Sequence, residues 1–338
     1  MPTKPNEDFI PRAIEHEGLR RMLEFHSGKI KEVVNFSSWV FKWILESIES
    51  SGGKDETIPL LGSFRHIFEL LDAISELIRI SCIDPCKILL RSIFESLLSI
   101  EYILEQDSKR RGLDFMICYW HEDIKQYRRW DPDDQLHAEM LERKNNDMIM
   151  REWRFEGIPD VKNIKYAIEQ KKKVFELPLY QDSESEYQRF REERRGKAKW
   201  YSLRGGPRSV KEMAERLRRP LQYDFLYGYF SESVHGTDLI RNKIEQISED
   251  LISVAQLRLP RDTDFVAGMA MNFGLSVIRN FVENLIPEKR QELTIDTCIN
   301  NVLYYGQEVS HETFRKPRSI GTPSVQSYGS LGRRTPAC

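Results

Sequence analysis

Two polar pairs interrupt otherwise apolar helical sequence, and their side chains are of the types that hold phosphate and move protons. Arg91 and Glu95 stand four residues apart in the stretch 84–105, so in a helix they share a face. Ser231 and His235 have the same spacing in LQYDFLYGYFSESVHG, residues 221–236, with Tyr227 one turn earlier on the same stripe. Taken as one constellation, the four residues point to metal-independent phosphodiester cleavage. Histidine titrates near neutrality, so His235 would move a proton to or from a ribose 2′-OH or a leaving oxygen. Arg91 would hold the phosphate with its planar fork and stabilise added charge. Glu95 would orient Arg91 or His235, and Ser231 would position substrate. The same residues also read as a satisfied buried network that fixes how two helices dock, or as a binding pocket without chemistry.

A second candidate is electrostatic. Residues 189–219 carry twelve Lys or Arg against four Asp or Glu, a local charge of +8 in a chain whose net charge is −2. Trp200, Tyr201, Arg204 and Arg208 lie within it. Together they could track a nucleic-acid backbone and stack a base, with RNA or a nucleotide as the partner. A charge run of this kind is also the solvated face of a helix, and Glu192, Glu193, Glu212 and Glu215 dilute it. The loop Arg204-Gly205-Gly206-Pro207-Arg208 could hold phosphate through backbone N–H groups, although Pro207 removes one donor.

Other chemistries find less support. His121-Glu122-Asp123 is a dense cluster and His235 precedes Asp238 by three residues, yet neither belongs to a convincing ligand set, so no metal is expected. Walker, Rossmann and Gly-x-Ser-x-Gly patterns are absent, and no cofactor is expected. The five cysteines lack metal-finger spacing and are odd in number, which fits reduced thiols. The sequence has no run of eighteen apolar residues, and MPTKPNEDFIPR lacks the apolar segment of a signal peptide. A cytoplasmic protein with no membrane partner is the expectation, with a homo-oligomer or a protein partner left open.

The elements that must position these residues are helices. Asp84 caps and Pro85 opens a helix through Glu105 that is apolar on nearly every face, as a central helix would be. Apolar periodicity predicts further helices over 29–50, from Pro59 to Ile78, over 107–129, 239–257, 265–285 and 292–305. A short helix is expected around Ala13–His26. The stretches 135–154 and 161–175 read as helical but mostly charged, and 178–185 reads as a break. Ser209 and Glu212 match a capping box for a helix through Leu217, which Pro220 would end. No strand pattern emerges. The expectation is all-α: an arm over 1–28, a multi-helix bundle over 29–307 with a charged helical insertion at 107–198, and a disordered tail over 308–338.

Two segments resemble a bacterial family known as domain of unknown function 5677. They are FRHIFELLDAISELIRISCIDPCKILLRSIFESLLSIEYIL at 64–104, and KWYSLRGGPRSVKEMAERL followed by YGYFSESVHG within 199–236. The resemblance implies a bacterial, soluble, helical protein whose shared polar residues are Arg91, Glu95, Trp200, Ser231 and His235. More distantly, an Arg and a His meeting in a helical bundle is similar to the HEPN nucleases of toxin and anti-phage systems, which carry both in one Arg-x4–6-His motif. Here the nearest upstream arginine to His235 is Arg219. Arg91 would therefore supply the cation from another helix. The function expected is engagement of nucleic acid or nucleotide, as a metal-independent ribonuclease in a toxin or phage-defence setting. The alternative is a non-enzymatic interaction module.

Overall fold

The structure, a computed structural model, describes residues 16–50, 55–152, 160–194, 198–235, 244–248, 251–254 and 257–290. Ten α-helices run through them: α1 (Glu17–Ser50), α2 (Ile58–Arg79), α3 (Ile83–Glu105), α4 (Ser108–Arg128), α5 (Gln135–Asn146), α6 (Val161–Lys172), α7 (Gln181–Arg194), α8 (Val210–Arg216), α9 (Pro220–His235) and α10 (Thr263–Leu285). The fold is all-α apart from a short antiparallel hairpin, β1 (Ile244–Ser248) and β2 (Leu251–Val254). The chain forms two compact units. The first takes residues within 1–47, 67–94 and 224–338; the second is built from 48–66 and 95–223.

The first unit is assembled around α1 and α10. On α1, Leu23, Ile30, Val33, Val40 and Ile44 are fully or almost fully buried, at spacings that keep them on one face. On α10, twelve residues are buried, including Phe273, Val277, Ile278 and Phe281. Helix α10 is long and apolar enough to cross a membrane by composition, but 61% of its most apolar window is buried within the protein, as a core helix requires. Gly274 lets it pack closely. A Cβ there would lie 2.7 Å from Val33 Cγ1 and 2.9 Å from Leu71 Cδ1. Phe94 stacks on Phe273 with ring centroids 5.8 Å apart, and burying each ring contributes about 2 kcal/mol. The buried Lys87 ammonium bridges Asp84 at 3.0 Å and Asp262 at 2.9 Å, joining the first turn of α3 to the start of α10. Burial disfavours its charge, but the bonds to Asp262 and Asp84 outweigh that and raise its pKa.

The second unit has α4 at its centre. Asp107, in the left-handed region, caps the helix by accepting the Arg110 N–H. Leu113, Met116 and Ile117 pack with Tyr180 and Tyr187, and Ile124 packs with Ile164 and Ile168 of α6. The stretch expected as an outlying insertion, 107–198, thus holds cores of its own. Its charged appearance misleads because three of its charges, Arg111, Asp114 and Glu186, are buried as partners. Arg111 Nη1 donates to Glu105 at 3.0 Å and to the Tyr102 carbonyl, and Asp114 is held by Arg204. Helix α5, by contrast, buries no residue.

Four expectations need correction. The short helix at 13–26 and the helix at 29–50 are one continuous α1, because the buried positions Leu23, His26, Ser27 and Ile30 carry the pattern straight past Gly28. The expected break at 178–185 holds the start of α7. Within the span 239–257 expected as a helix, the described residues Ile244–Ser248 and Leu251–Val254 form the hairpin instead. Ile244, Ile247, Leu251 and Val254 have helical spacing, yet three of the four are β-branched, and periodicity alone does not separate the two outcomes. Pro220 also opens α9 where it was expected only to end α8. The arm before residue 16, the helix over 292–305 and the tail lie outside the described residues.

Candidate functional site

Helix α3 presents Arg91 and Glu95 as half-buried residues flanked by the fully buried Leu90, Ile93, Phe94, Leu97 and Leu98. The helix is not covered on every side, since Ile88 is 43% exposed. The Arg91 guanidinium carbon lies 4.1 Å from the ring centroid of Tyr227 on α9. Tyr227 precedes Ser231 by four residues, so α3 brings its cation to the residue one turn before Ser231 on α9. The backbones of Ser231 and His235 are the last two turns of α9; their side chains lie outside the described residues. Glu95 follows Arg91 by one turn, and its carbonyl accepts the Ser99 hydroxyl.

The basic loop is used largely inside the second unit. Trp200 packs against Tyr102 and Phe115 at centroid distances of 5.6 and 5.2 Å, and edge-on against Tyr201, which is buried. Arg204 occupies the left-handed region at φ 55°. Its side chain donates to both oxygens of Asp114 and to Asp182 at 2.6 Å, and its backbone N–H donates to Glu186 at 2.6 Å. Burial pushes the Asp114 carboxyl above the ordinary aspartate range, against the opposing pull of Arg204 and Ser183. Further along, Arg216 pairs with Glu105 and Arg219 with Glu101. Of the four residues expected to meet nucleic acid, Arg208 is the exposed one; its backbone N–H donates to Glu212 while Ser209 caps α8 as the sequence indicated.

A site not anticipated from the sequence lies in the second unit, between α4, α6 and α7. A cleft of about 650 Å³ is lined by apolar Ile124, Ile168 and Phe175 and by His121, Glu184 and Gln188. His121 is sandwiched between Phe175 and Tyr187, at centroid distances of 4.3 and 3.9 Å and interplanar angles of 13° and 5°. Its Nε2 lies 2.7 Å from Glu184 Oε2, and Gln188 donates to the other carboxylate oxygen at 2.6 Å. The ring is thereby fixed in plane. A carboxylate only accepts, so Nε2 donates the proton of this hydrogen bond.

The cleft has no nucleophilic thiol. Burial pushes the nearby Cys118 thiol up to about 12, with the charges of Asp114 and Glu184 adding to the effect. Among the described residues, no three His, Cys, Asp or Glu side chains gather as metal donors. His121 stood out in the sequence only as part of a charged triplet. Its partner Glu184 is 63 residues away, in the stretch read as a break. No local spacing links them.

A family model described as a family of unknown function (DUF5677) matches residues 57–250. That span contains both segments that carry the resemblance, 64–104 and 199–236. No curated protein and no solved structure matches the chain.

Proposed function

Because the chain belongs to DUF5677, whose description names no reaction, we propose from its own side chains that it engages nucleic acid or a nucleotide through Arg91 and the α9 stripe, as a metal-independent ribonuclease. The observation that carries this reading is the 4.1 Å approach of the Arg91 guanidinium to the Tyr227 ring. Stacking uses a face of the guanidinium, whereas its N–H donors lie in the plane, the geometry that grips phosphate. In this reading His235 takes the proton of a ribose 2′-OH. The 2′-oxygen bonds to phosphorus, the bond to the 5′-oxygen breaks, and the proton passes to that leaving oxygen, giving a 2′,3′-cyclic phosphate. Arg91 stabilises the charge on the phosphoryl oxygens. Glu95 and Ser231 serve as positioning residues.

The test is incubation of total RNA with purified wild type, His235→Ala and Arg91→Lys, with and without EDTA. Cleavage should survive EDTA, vanish in His235→Ala, and fall about 100-fold in Arg91→Lys, which keeps the charge and loses the fork. Activity abolished by EDTA, or unchanged in His235→Ala, would overturn the mechanism.

One observation favours a second reading, the non-enzymatic interaction module. Arg204 and Trp200 of the basic segment are engaged within the second unit, Arg204 by Asp114 and Asp182 and Trp200 by Tyr102 and Phe115. Residues used in this way serve as structural glue. Wild-type protein that neither binds nor cleaves RNA would select this reading.

A further inference from the structure

We propose that the cleft of the second unit binds a small organic cation, an ammonium or guanidinium on a short apolar body, recognised by Glu184 and His121. The site goes beyond the RNA reading and does not depend on it. The cleft's volume, about 650 Å³, is in the range of small-molecule sites.

The cations of the cleft lining are already matched by carboxylates. Arg128 pairs with Asp134 at 2.7 Å, Lys172 with Glu169 at 2.9 Å, and Lys165 reaches Asp131 at 3.9 Å. Glu184 is the fourth carboxylate of the lining, and it has no Lys or Arg partner among the described residues. Its oxygens meet the neutral amide of Gln188 and Nε2–H of His121. A carboxylate held only by a neutral amide and an imidazole N–H suits a ligand that donates hydrogen bonds and carries positive charge.

The remaining lining agrees with that chemistry. The Phe175 ring attracts cations through its π system, and Ile124 and Ile168 provide an apolar wall for a methylene chain. An anionic ligand such as a nucleotide would meet four carboxylates, with the three Lys and Arg side chains already engaged. The Phe175–His121–Tyr187 stack holds the imidazole in position before any ligand arrives, which lowers the ordering cost of binding.

Putrescine is the probe, titrated calorimetrically into the full chain, into Glu184→Gln and into Glu169→Gln. The first substitution removes the unmatched charge and keeps the side-chain shape. The second removes a charge that Lys172 already offsets. Saturable binding to the wild type is expected, weakened about ten-fold or more by Glu184→Gln and less than about two-fold by Glu169→Gln. Should Glu184→Gln fail to fold, a second measurement on the wild type decides. Saturating putrescine should slow diethylpyrocarbonate modification of His121 several-fold, read by peptide mass spectrometry. No saturable binding, equal weakening by both variants, or an unchanged rate of His121 modification overturns the proposal.

Discussion

Arg204 donates from Nε and Nη2 to the two carboxylate oxygens of Asp114, a residue 90 positions earlier in the chain. The pair ties the loop after α7 to the middle of α4. The Asp114 side chain is only 5% exposed, so its charge depends on this partner. Arg204→Ala should lower stability by about 3 kcal/mol, because it strands a buried carboxylate. Arg208→Ala, in the same loop but exposed, should stay within about 0.5 kcal/mol. Chemical denaturation midpoints compare the two.

The same carboxylate predicts a pH dependence. Asp114 has a folded pKa above its unfolded one, through burial. Between the two values the folded state holds more protons than the unfolded state, so stability contributed by this group falls as pH rises above the ordinary aspartate range. Asp114→Asn removes that term. The stability of wild type minus that of Asp114→Asn should decrease with rising pH across this window and then level off. A difference that grows with pH would show that Arg204 dominates over burial.

Two glycines in helices should respond to alanine with opposite signs. At Gly112 on α4 a Cβ would lie 2.2 Å from the Glu56 carbonyl oxygen, which is backbone and cannot swing aside. Gly112→Ala should cost about 1–3 kcal/mol or more. At Gly62 on α2 nothing lies within 4 Å of the added carbon. Gly62→Ala should stabilise by about 0.5–1 kcal/mol, the usual gain in a helix interior. Thermal melts of the two variants suffice.

The helices with local signals were legible in the sequence. The helix expected to open at Pro85 behind an Asp84 cap opens two residues earlier, at Ile83, with Asp84 in its first turn, and Ser209 with Glu212 marks α8, where the hydroxyl accepts the Glu212 N–H at 3.1 Å. What was not legible depends on partners far along the chain. Arg204 looks like a phosphate ligand until Asp114 and Asp182 are beside it, and Trp200 looks like a stacking platform until Tyr102 and Phe115 cover it. The His121–Glu184 pair has no sequence signature at all. Conversely, the meeting of Arg91 with the Tyr227 stripe links two features found by helical spacing alone.

The buried bridge from Lys87 to Asp262 bears on the modularity of the family segment. The family match spans 57–250, while Asp262, Phe273 and Gly274 lie beyond it, and Val33 precedes it. A fragment cut at the limits of the match would take Asp262 away from the Lys87 ammonium and strip Phe94 of its stacking ring. In this chain the family segment is therefore not an autonomous module. It is the middle of a fold closed from both ends, by α1 before it and α10 after it.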